Sequence, residues 1–257
     1  MKTARNQQQG ADLHTRNKKE WLLVALVTFA FGTLLTPLAH ADDDTNIDPL
    51  EPLNRTVYAF NDGLDRFVLR PAGKGYNAVL PQPVRNGIGN FFDHWTYPVT
   101  IVNGFLQGKL GQGTEDLVRF AVNTTFGGLG LFDVASKGGM EMHNEDFGLT
   151  FASWGIGQGP YIVIPVLGPA TARSGIGILA NVQVNPVVQL ENSSVRDKLL
   201  ILWFLESRAA LIGPDEVVQD AYDPYLFLRD AYLQNRAYLR GEGKVDDEFF
   251  EADFEDF

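Results

Sequence analysis

The stretch from Phe147 to Leu190 constrains the fold more than any other part of the chain. It holds 44 residues and one formal charge, Arg173, and its first part, FGLTFASWGIGQGPYIVIPVLGPATA from Phe147 to Ala172, has no charge at all. About 20 apolar residues suffice for a helix to cross a hydrocarbon core of ~30 Å, so the length is adequate for a span. Gly148, Gly155, Gly157, Gly159 and Gly168, with Pro160, Pro165 and Pro169, argue against one straight helix. Each interior proline removes a backbone donor and clashes with the preceding turn, at roughly 3 kcal/mol. Broken apolar backbone is tolerated at membrane depth only where protein or a water-filled cavity covers it. Two readings stand: the wall of an apolar cavity or part-embedded element, and the buried core of a soluble domain. On the first reading the segment seats in one leaflet, with Pro160 and Pro165 turning the chain back. The lipid-path or membrane-seating candidates are then Phe147, Phe151 and Trp154 on one helical face, Tyr161, Ile162, Ile164 and Pro165 after it, and Arg173.

The N-terminus carries an address. Met1–Glu20 is polar and ends with Lys18-Lys19 before an apolar run from Trp21 to Leu38; Ala39-His40-Ala41 has the small-x-small form of a cleavage site. This is the layout of a secretory signal peptide over residues 1–41, with an uncleaved anchor helix as the alternative. Residues 42–241 are long enough for one large helical domain with a sizeable core. Residues 42–257 hold 16 basic and 30 acidic side chains, a formal charge of −14. Phosphate backbones demand the opposite sign, so nucleic acid is a poor partner. The chain has no cysteine, which excludes disulfides, thiolate metal sites and cysteine nucleophiles.

The domain reads as helices joined by Gly/Pro-rich links. Asp48-Pro49-Leu50-Glu51 resembles a helix start, with Asp as cap and Pro at the first position. Leu53, Val57, Phe60, Leu64 and Phe67 then mark one face, ended by Pro71 and Gly73. A shorter helix is expected from Val84 to Trp95, with Val84, Ile88, Phe91, Phe92 and Trp95 inward. Thr114 is the expected cap of the next helix, whose inner face is Leu117, Phe120 and Ala121. Ser136–His143 (SKGGMEMH) reads as a mobile hairpin, with Gly138-Gly139 as its turn and Met140 and Met142 as adaptable apolar contacts. Asn144, Ser193 or Ser194, and Asp223-Pro224 open later helices. Little period-two alternation is present, so the fold class is all-α. Glu242–Phe257 is an acidic-aromatic tail with eight acids, one Lys and four Phe. It is either a solvating tail or a docking segment for a soluble partner.

The search for chemistry returns little. His94 and His143 are the histidines beyond the leader, and neither sits in a metal-binding spacing. No serine has the nucleophile-elbow context, and Gly155-x-Gly157-x-Gly159 lacks the strand–turn–helix setting of a dinucleotide site. No catalytic residue, metal or cofactor is assigned, and enzyme activity is not expected. Arg173 admits two roles, a snorkelling or carboxylate-paired side chain and a bidentate anchor for a lipid phosphate. Arg55 raises the same question at the first helix.

Several motifs carry a family resemblance. Asp48-Pro49-Leu50-Glu51-Pro52-Leu53-Asn54-Arg55 followed by Ala59-Phe60-Asn61-Asp62 resembles the opening motif of the MlaA (VacJ) family. So do Pro81–Gly87 (PQPVRNG), Arg119–Thr125 (RFAVNTT), Phe132-Asp133-Val134-Ala135, and Asp223-Pro224-Tyr225. The longest match runs from Glu145-Asp146-Phe147-Gly148 through Trp154–Tyr161 (WGIGQGPY) to Pro165, Gly168-Pro169 and Arg173. The resemblance implies a ring-shaped, all-helical, membrane-embedded protein in the inner leaflet of the Gram-negative outer membrane, on its periplasmic face. Such a ring surrounds a polar channel that removes mislocalised phospholipids from the outer leaflet. It passes them to a soluble periplasmic lipid carrier serving an inner-membrane transporter, and commonly docks on a trimeric porin. Many family members are lipoproteins with a cysteine at the cleavage site. The absence of cysteine here leads to the expectation of export by a cleavable signal without a lipoprotein Cys. Attachment then rests on apolar surface, porin contact or an uncleaved Trp21–Leu38 helix. The alternative function is a non-transporting outer-membrane structural or porin-docking protein; a polar-lined path favours transport, and a solid core favours the alternative.

Overall fold

A computed structural model describes residues 47–241; the signal peptide and cleavage site expected within 1–41 and the tail at 242–257 lie outside the described residues. Helix α1 (Glu51–Leu64) passes into a π-helical segment (Asp65–Leu69) and then α2 (Arg70–Val79). The expected stop at Pro71 does not occur. Proline lacks an N–H and crowds the carbonyl four residues back, and a π turn placed just before it absorbs the misfit while the rod continues. Next come α3 (Gln82–Leu106), α4 (Leu110–Thr125), α5 (Val134–Lys137) and α6 (Phe147–Ser153). Two short strands, β1 (Tyr161–Ile164) and β2 (Gly168–Thr171), precede α7 (Ala172–Val184), α8 (Ser193–Ala210), α9 (Glu216–Asp220) and α10 (Pro224–Leu239).

The expected helical fold is observed, and no helix among the described residues is long and apolar enough to cross a membrane. Packing contacts close into a circuit: α1 to the π segment, to α2, α8, α3, α6, α7, β2, β1 and back to α1. This closed path fits the ring that the resemblance implies. Asp146, Asn192 and Asp223 cap α6, α8 and α10 through their side chains. Asn144 does not cap α6. Thr114 lies inside α4, bonding back to the Leu110 carbonyl at 2.8 Å, because the helix starts five residues earlier than expected.

The antiparallel β1–β2 hairpin pairs Tyr161 with Thr171 and Ile164 with Gly168, and the sequence reading missed it. Its free edge is not left open. Asn54 donates to the Tyr161 carbonyl at 3.0 Å and accepts from the Val163 amide at 2.9 Å. Asn61, two helical turns on, repeats this with the Ile164 carbonyl at 3.0 Å and the Val166 amide at 2.8 Å. Two side-chain amides on α1 thus stand in for a third strand, satisfying edge groups that would otherwise attract another chain. Asp48 does not cap α1. It accepts from Asn54 at 2.8 Å and from the Tyr225 hydroxyl, tying the start of the domain to α10. Asn54→Leu is expected to cost about 2 kcal/mol, because buried groups left unpaired cost ~1–3 kcal/mol each. Thermal unfolding in detergent would measure this; an unchanged midpoint would remove the clasp from the account of stability.

The helices are inverted relative to a water-soluble bundle. On α4 the buried positions are Gly113, Asp116, Arg119 and Asn123, while Leu117 and Val118 are exposed and Ala121 faces out with them. On α3, Val84 and Trp95 are exposed, as are Val102, Phe105 and Leu106. Leu53, Phe60 and Phe67 also point outward. Of the residues expected inward, Phe92 is buried and Ile88, Phe91 and Phe120 are half-buried, whereas Val84, Trp95, Leu117 and Ala121 face opposite to the direction expected. Among the described residues about as many polar or charged side chains are buried as apolar ones, so the solid apolar core of the soluble alternative is missing. An apolar cluster gathers around Tyr161, Val163 and Tyr225.

Candidate functional site

Helix α3 presents a polar stripe inward. Gln82, Arg85, Asn86, Gly89, Asn90, Asp93 and Tyr97 recur at three- and four-residue steps, which places them on one face. Two clefts open along that stripe and share Asn90 and Asp93. The wider one, about 330 Å³, lies between α2, α3 and α8 and is lined by Tyr76, Asn77, Arg85, Asn90, Asp93 and Glu206. The narrower one, about 30 Å³, runs between α3, α4 and the 130–142 segment, past His94, Tyr97, Arg119, Asn123, Asp133 and Met142. Both clefts are lined largely by polar side chains and border the same face of α3, while several apolar side chains of α3 and α4 face outward.

The narrow cleft is built on charge. Arg119, 3 % exposed, donates to the Met140 carbonyl at 2.6 Å, to Asp133 Oδ2 at 2.7 Å and to Ser136 Oγ at 2.9 Å. Asn123 donates to Asp133 at 3.0 Å and accepts from the Val134 and Ala135 amides. Fully buried Asp116 accepts from Tyr97 at 2.5 Å and meets His143 Nδ1 at 2.8 Å. Burial, with Asp116 adding to it, raises the Tyr97 pKa well above the ordinary phenol value and keeps the hydroxyl a donor. His94 stacks on Phe120 at 4.4 Å and meets Thr124 Oγ1 at 3.1 Å; burial lowers its pKa. Gly130 sits at φ +88° against this ring, where a Cβ would lie 2.3 Å from His94.

Burial opposes ionisation of Asp133, but Ser136 and Asn123 hydrogen bonds and the Arg119 guanidinium outweigh it and hold the pKa down to about 2. A folded pKa below the unfolded ~3.9 makes this stabilisation complete above that value and lost as pH falls through about 2. The contribution is roughly 2 kcal/mol. Acid unfolding of the Asp133→Asn variant should therefore be flatter than wild type between about pH 4 and 2; superimposable curves would contradict the assignment.

Segment 136–143 is not a hairpin of strands. It begins in the last turns of α5, reverses at Gly139 with φ +82°, and continues as an extended strap. Arg119 holds it at Met140, and Asp116 with Tyr97 holds it at His143. The residues that fasten it are far apart in sequence, which is why local turn signals alone suggest a free loop. Gly138 is exposed, and Met142 is 42 % exposed and reaches the narrow cleft.

The other candidates are dispersed. Phe147, Phe151 and Trp154 form a ladder with ring separations of 6.1 and 5.8 Å, and Trp154 Nε1 donates to the Leu106 carbonyl at 3.1 Å. Tyr161 is buried; Ile162 and Ile164 are half-buried towards Gly175 of α7. The chain does reverse after Ile164, through Pro165, Val166 at φ +69° and Leu167, with Val166 and Leu167 exposed at the tip. Arg173 is 5 % exposed and donates to the Ile156 carbonyl at 2.8 Å, bracing the 155–160 loop. Pro49 is exposed ahead of α1, whereas Arg55 pairs with Glu51 at 2.7 Å and Asp223 at 2.8 Å. Of the candidates, Met142 lines a cleft.

Comparison with known proteins places this arrangement. The MlaA lipoprotein family model matches residues 46–239. The chain belongs to the MlaA family. It is similar to the intermembrane phospholipid transport system lipoproteins MlaA of Shigella flexneri and Escherichia coli K12, each 34 % identical over 227 residues, covering 86 % of this chain and 90 % of the relative. The Haemophilus influenzae MlaA is 30 % identical over 236 residues, covering 89 % and 93 %. A structure solved in work on the structural basis for maintenance of bacterial outer membrane lipid asymmetry superposes with a TM-score of 0.66 at 33 % identity. It covers 75 % of this chain and 98 % of that one.

These MlaA relatives correct one expectation. They are named lipoproteins, which conflicts with export by a cleavable signal without a lipoprotein Cys, and that route is withdrawn; an outer-membrane location is consistent with them. A charged start followed by an apolar run is common to leaders of both kinds, so hydropathy cannot separate them. The inward stripe from Gln82 to Tyr97 was not among the expected MlaA-type site residues. Its signal was present as polar residues recurring at helical spacing through an otherwise apolar helix.

Proposed function

We propose that the chain is an outer-membrane component of retrograde phospholipid transport. It removes mislocalised phospholipids from the outer leaflet and passes them to a soluble periplasmic lipid carrier. The observation that carries this reading is the pair of polar-lined clefts along α3, flanked by helices that turn apolar side chains outward. A phospholipid crossing such a wall keeps its headgroup among hydrogen-bonding side chains and its tails in hydrocarbon, avoiding the several kcal/mol that an unsatisfied polar group costs in lipid. The exposed loop Phe126, Leu129, Leu131 and Phe132 and the hairpin tip at Val166 and Leu167 supply apolar surface for seating in one leaflet. Each 100 Å² so buried contributes about 2.5 kcal/mol. Arg173 braces the loop beside the seated segment, and a trimeric porin is the proposed docking partner. The absence of a solid apolar core speaks against the structural alternative. Extraction in detergent with quantification of bound lipid tests the reading: phospholipid should copurify with the chain, and lipid-free protein from lipid-replete membranes would overturn it.

The 138–142 strap is the proposed gate, because it borders the narrow cleft through Met142 and is fastened by a few polar contacts. A disulfide pinning the strap to α4, introduced into this cysteine-free background, should slow clearance of surface phospholipid severalfold. Full clearance with the crosslink verified would exclude gating.

A further inference from the structure

The wider cleft contains charges of both signs that do not neutralise each other. Several arginines elsewhere find carboxylates: Arg70 and Arg208 meet Asp215, Arg119 meets Asp133, and Arg236 meets Asp146. Arg85 instead is held by neutral amides, Nη1 on Asn77 Oδ1 at 2.6 Å and Nη2 on Gln82 Oε1 at 2.5 Å. Its Nε is buried without a hydrogen-bond partner among the described residues. Asp93 and Glu206 line the same cleft and form no ion pair among the described residues. They lie along one face of α3: Glu206 Oε1, from α8, comes within 3.0 Å of where a Gly89 Cβ would stand, and Asp93 is one turn further along that face. Burial and the Asp93 charge raise the Glu206 pKa; burial, then Asp133, raises that of Asp93. Tyr76, 8 % exposed, lines the cleft with a hydroxyl that has no hydrogen-bond partner among the described residues. After burial, Glu206 and Arg85 are the influences on that hydroxyl, acting in opposite directions, so it lies within the field of both.

We infer that this cleft is a headgroup subsite selective for zwitterionic phospholipids, taking the phosphate at Arg85 and the terminal ammonium at Asp93 and Glu206, with the Tyr76 hydroxyl donating to the phosphate. The inference rests on the transport reading above and adds the substrate class. Separated positive and negative groups match a phosphate joined to an ammonium, and a guanidinium without a carboxylate partner among the described residues suits a phosphate oxygen. An anionic lipid ending in a neutral polyol satisfies Arg85 but leaves two carboxylates uncompensated, and such a mismatch is how a site rejects a near-analogue.

The test equilibrates the full chain in detergent with equimolar short-chain phosphatidylethanolamine and phosphatidylglycerol and measures bound lipid by mass spectrometry. Wild type should retain the ethanolamine lipid about tenfold over the glycerol lipid, the discrimination of one charge-assisted contact. The isosteric pair Asp93→Asn and Glu206→Gln should bring the ratio close to one, and Arg85→Gln should lower retention of both lipids. A wild-type ratio near one, or a preference that survives the double substitution with circular dichroism unchanged, overturns the subsite alone. Retention of neither lipid by wild type overturns the transport reading with it. Free phosphoethanolamine should displace the lipid only weakly; binding as tight as the lipid's would assign the cleft to a soluble phosphoamine instead.

Discussion

Arg119→Met should lower stability by about 3–5 kcal/mol, the usual cost of removing one partner from a buried ion pair. The guanidinium joins three separate pieces of the fold: Asp133 and Ser136 at the start of α5, the Met140 carbonyl of the strap, and the α4 helix that carries it. Methionine fills similar volume but donates nothing. Asp133 is then left with burial, which opposes its ionisation, and with fewer of the contacts that hold its pKa down. The Met140 carbonyl loses its donor, and the strap its attachment at that point. Arg119→Lys keeps the charge and loses the fork, since one ammonium cannot reach three acceptors in the guanidinium plane; it should fall between the two. Thermal unfolding in detergent, with protease sensitivity of residues 138–143 as a local readout, would check this. A methionine variant within about 1 kcal/mol of wild type would show that the junction is redundant.

Gly177→Ala should be comparably damaging, at ~3 kcal/mol or more, for a purely steric reason. Helices α6 and α7 touch backbone to backbone: a Cβ on Gly177 would stand 2.4 Å from the Gly148 nitrogen and 2.8 Å from its Cα. Backbone cannot rotate away as a side chain can, so the helices must separate, and overpacking commonly costs 1–3 kcal/mol even where side chains can yield. The displacement would reach Asp146, which caps α6 and pairs with Arg236 at 2.5 Å. Gly175→Ala is the control on the same helix. Its Cβ would meet Ile162 Cδ1 at 3.4 Å, an ordinary contact, while alanine gains up to ~1 kcal/mol of helix propensity. It should therefore be neutral or slightly stabilising. Equal losses from both would point to a general intolerance of α7 rather than to the close approach.

Much of the opening motif was legible as important and illegible as to role. Asp48, Asn54 and Arg55 stand in a motif that resembles a helix start, and α1 does begin there. Yet Asp48 and Asn54 act across the fold, on Tyr225 and on the edge of β1. A side chain able to cap locally is equally able to bond a distant backbone, and only the approach of the other segment decides between them. The β hairpin was missed for a related reason. Tyr161–Ile164 is a four-residue apolar run with no alternating polarity, and its strand character depends on pairing with Gly168–Thr171 and on two asparagines more than 100 residues away.

What the sequence determined by itself is local and periodic. It specified helices, the opening of helices at Ser193 and at Asp223-Pro224, a chain reversal at Pro165, and residues that argue against one straight span through 147–172. The motifs were long enough to place the chain in its family. What the tertiary structure alone decided is the direction of each face. Hydrophobic period locates an apolar stripe on a helix, but the sign of the free energy that turns it inward depends on the surrounding medium. In water the stripe on α3 or α4 would be buried. Here Asp116, Arg119 and Asn123 are buried and Leu117 and Val118 face out, because each inward polar group finds a partner on a segment remote in sequence, and no period within one helix encodes that partner.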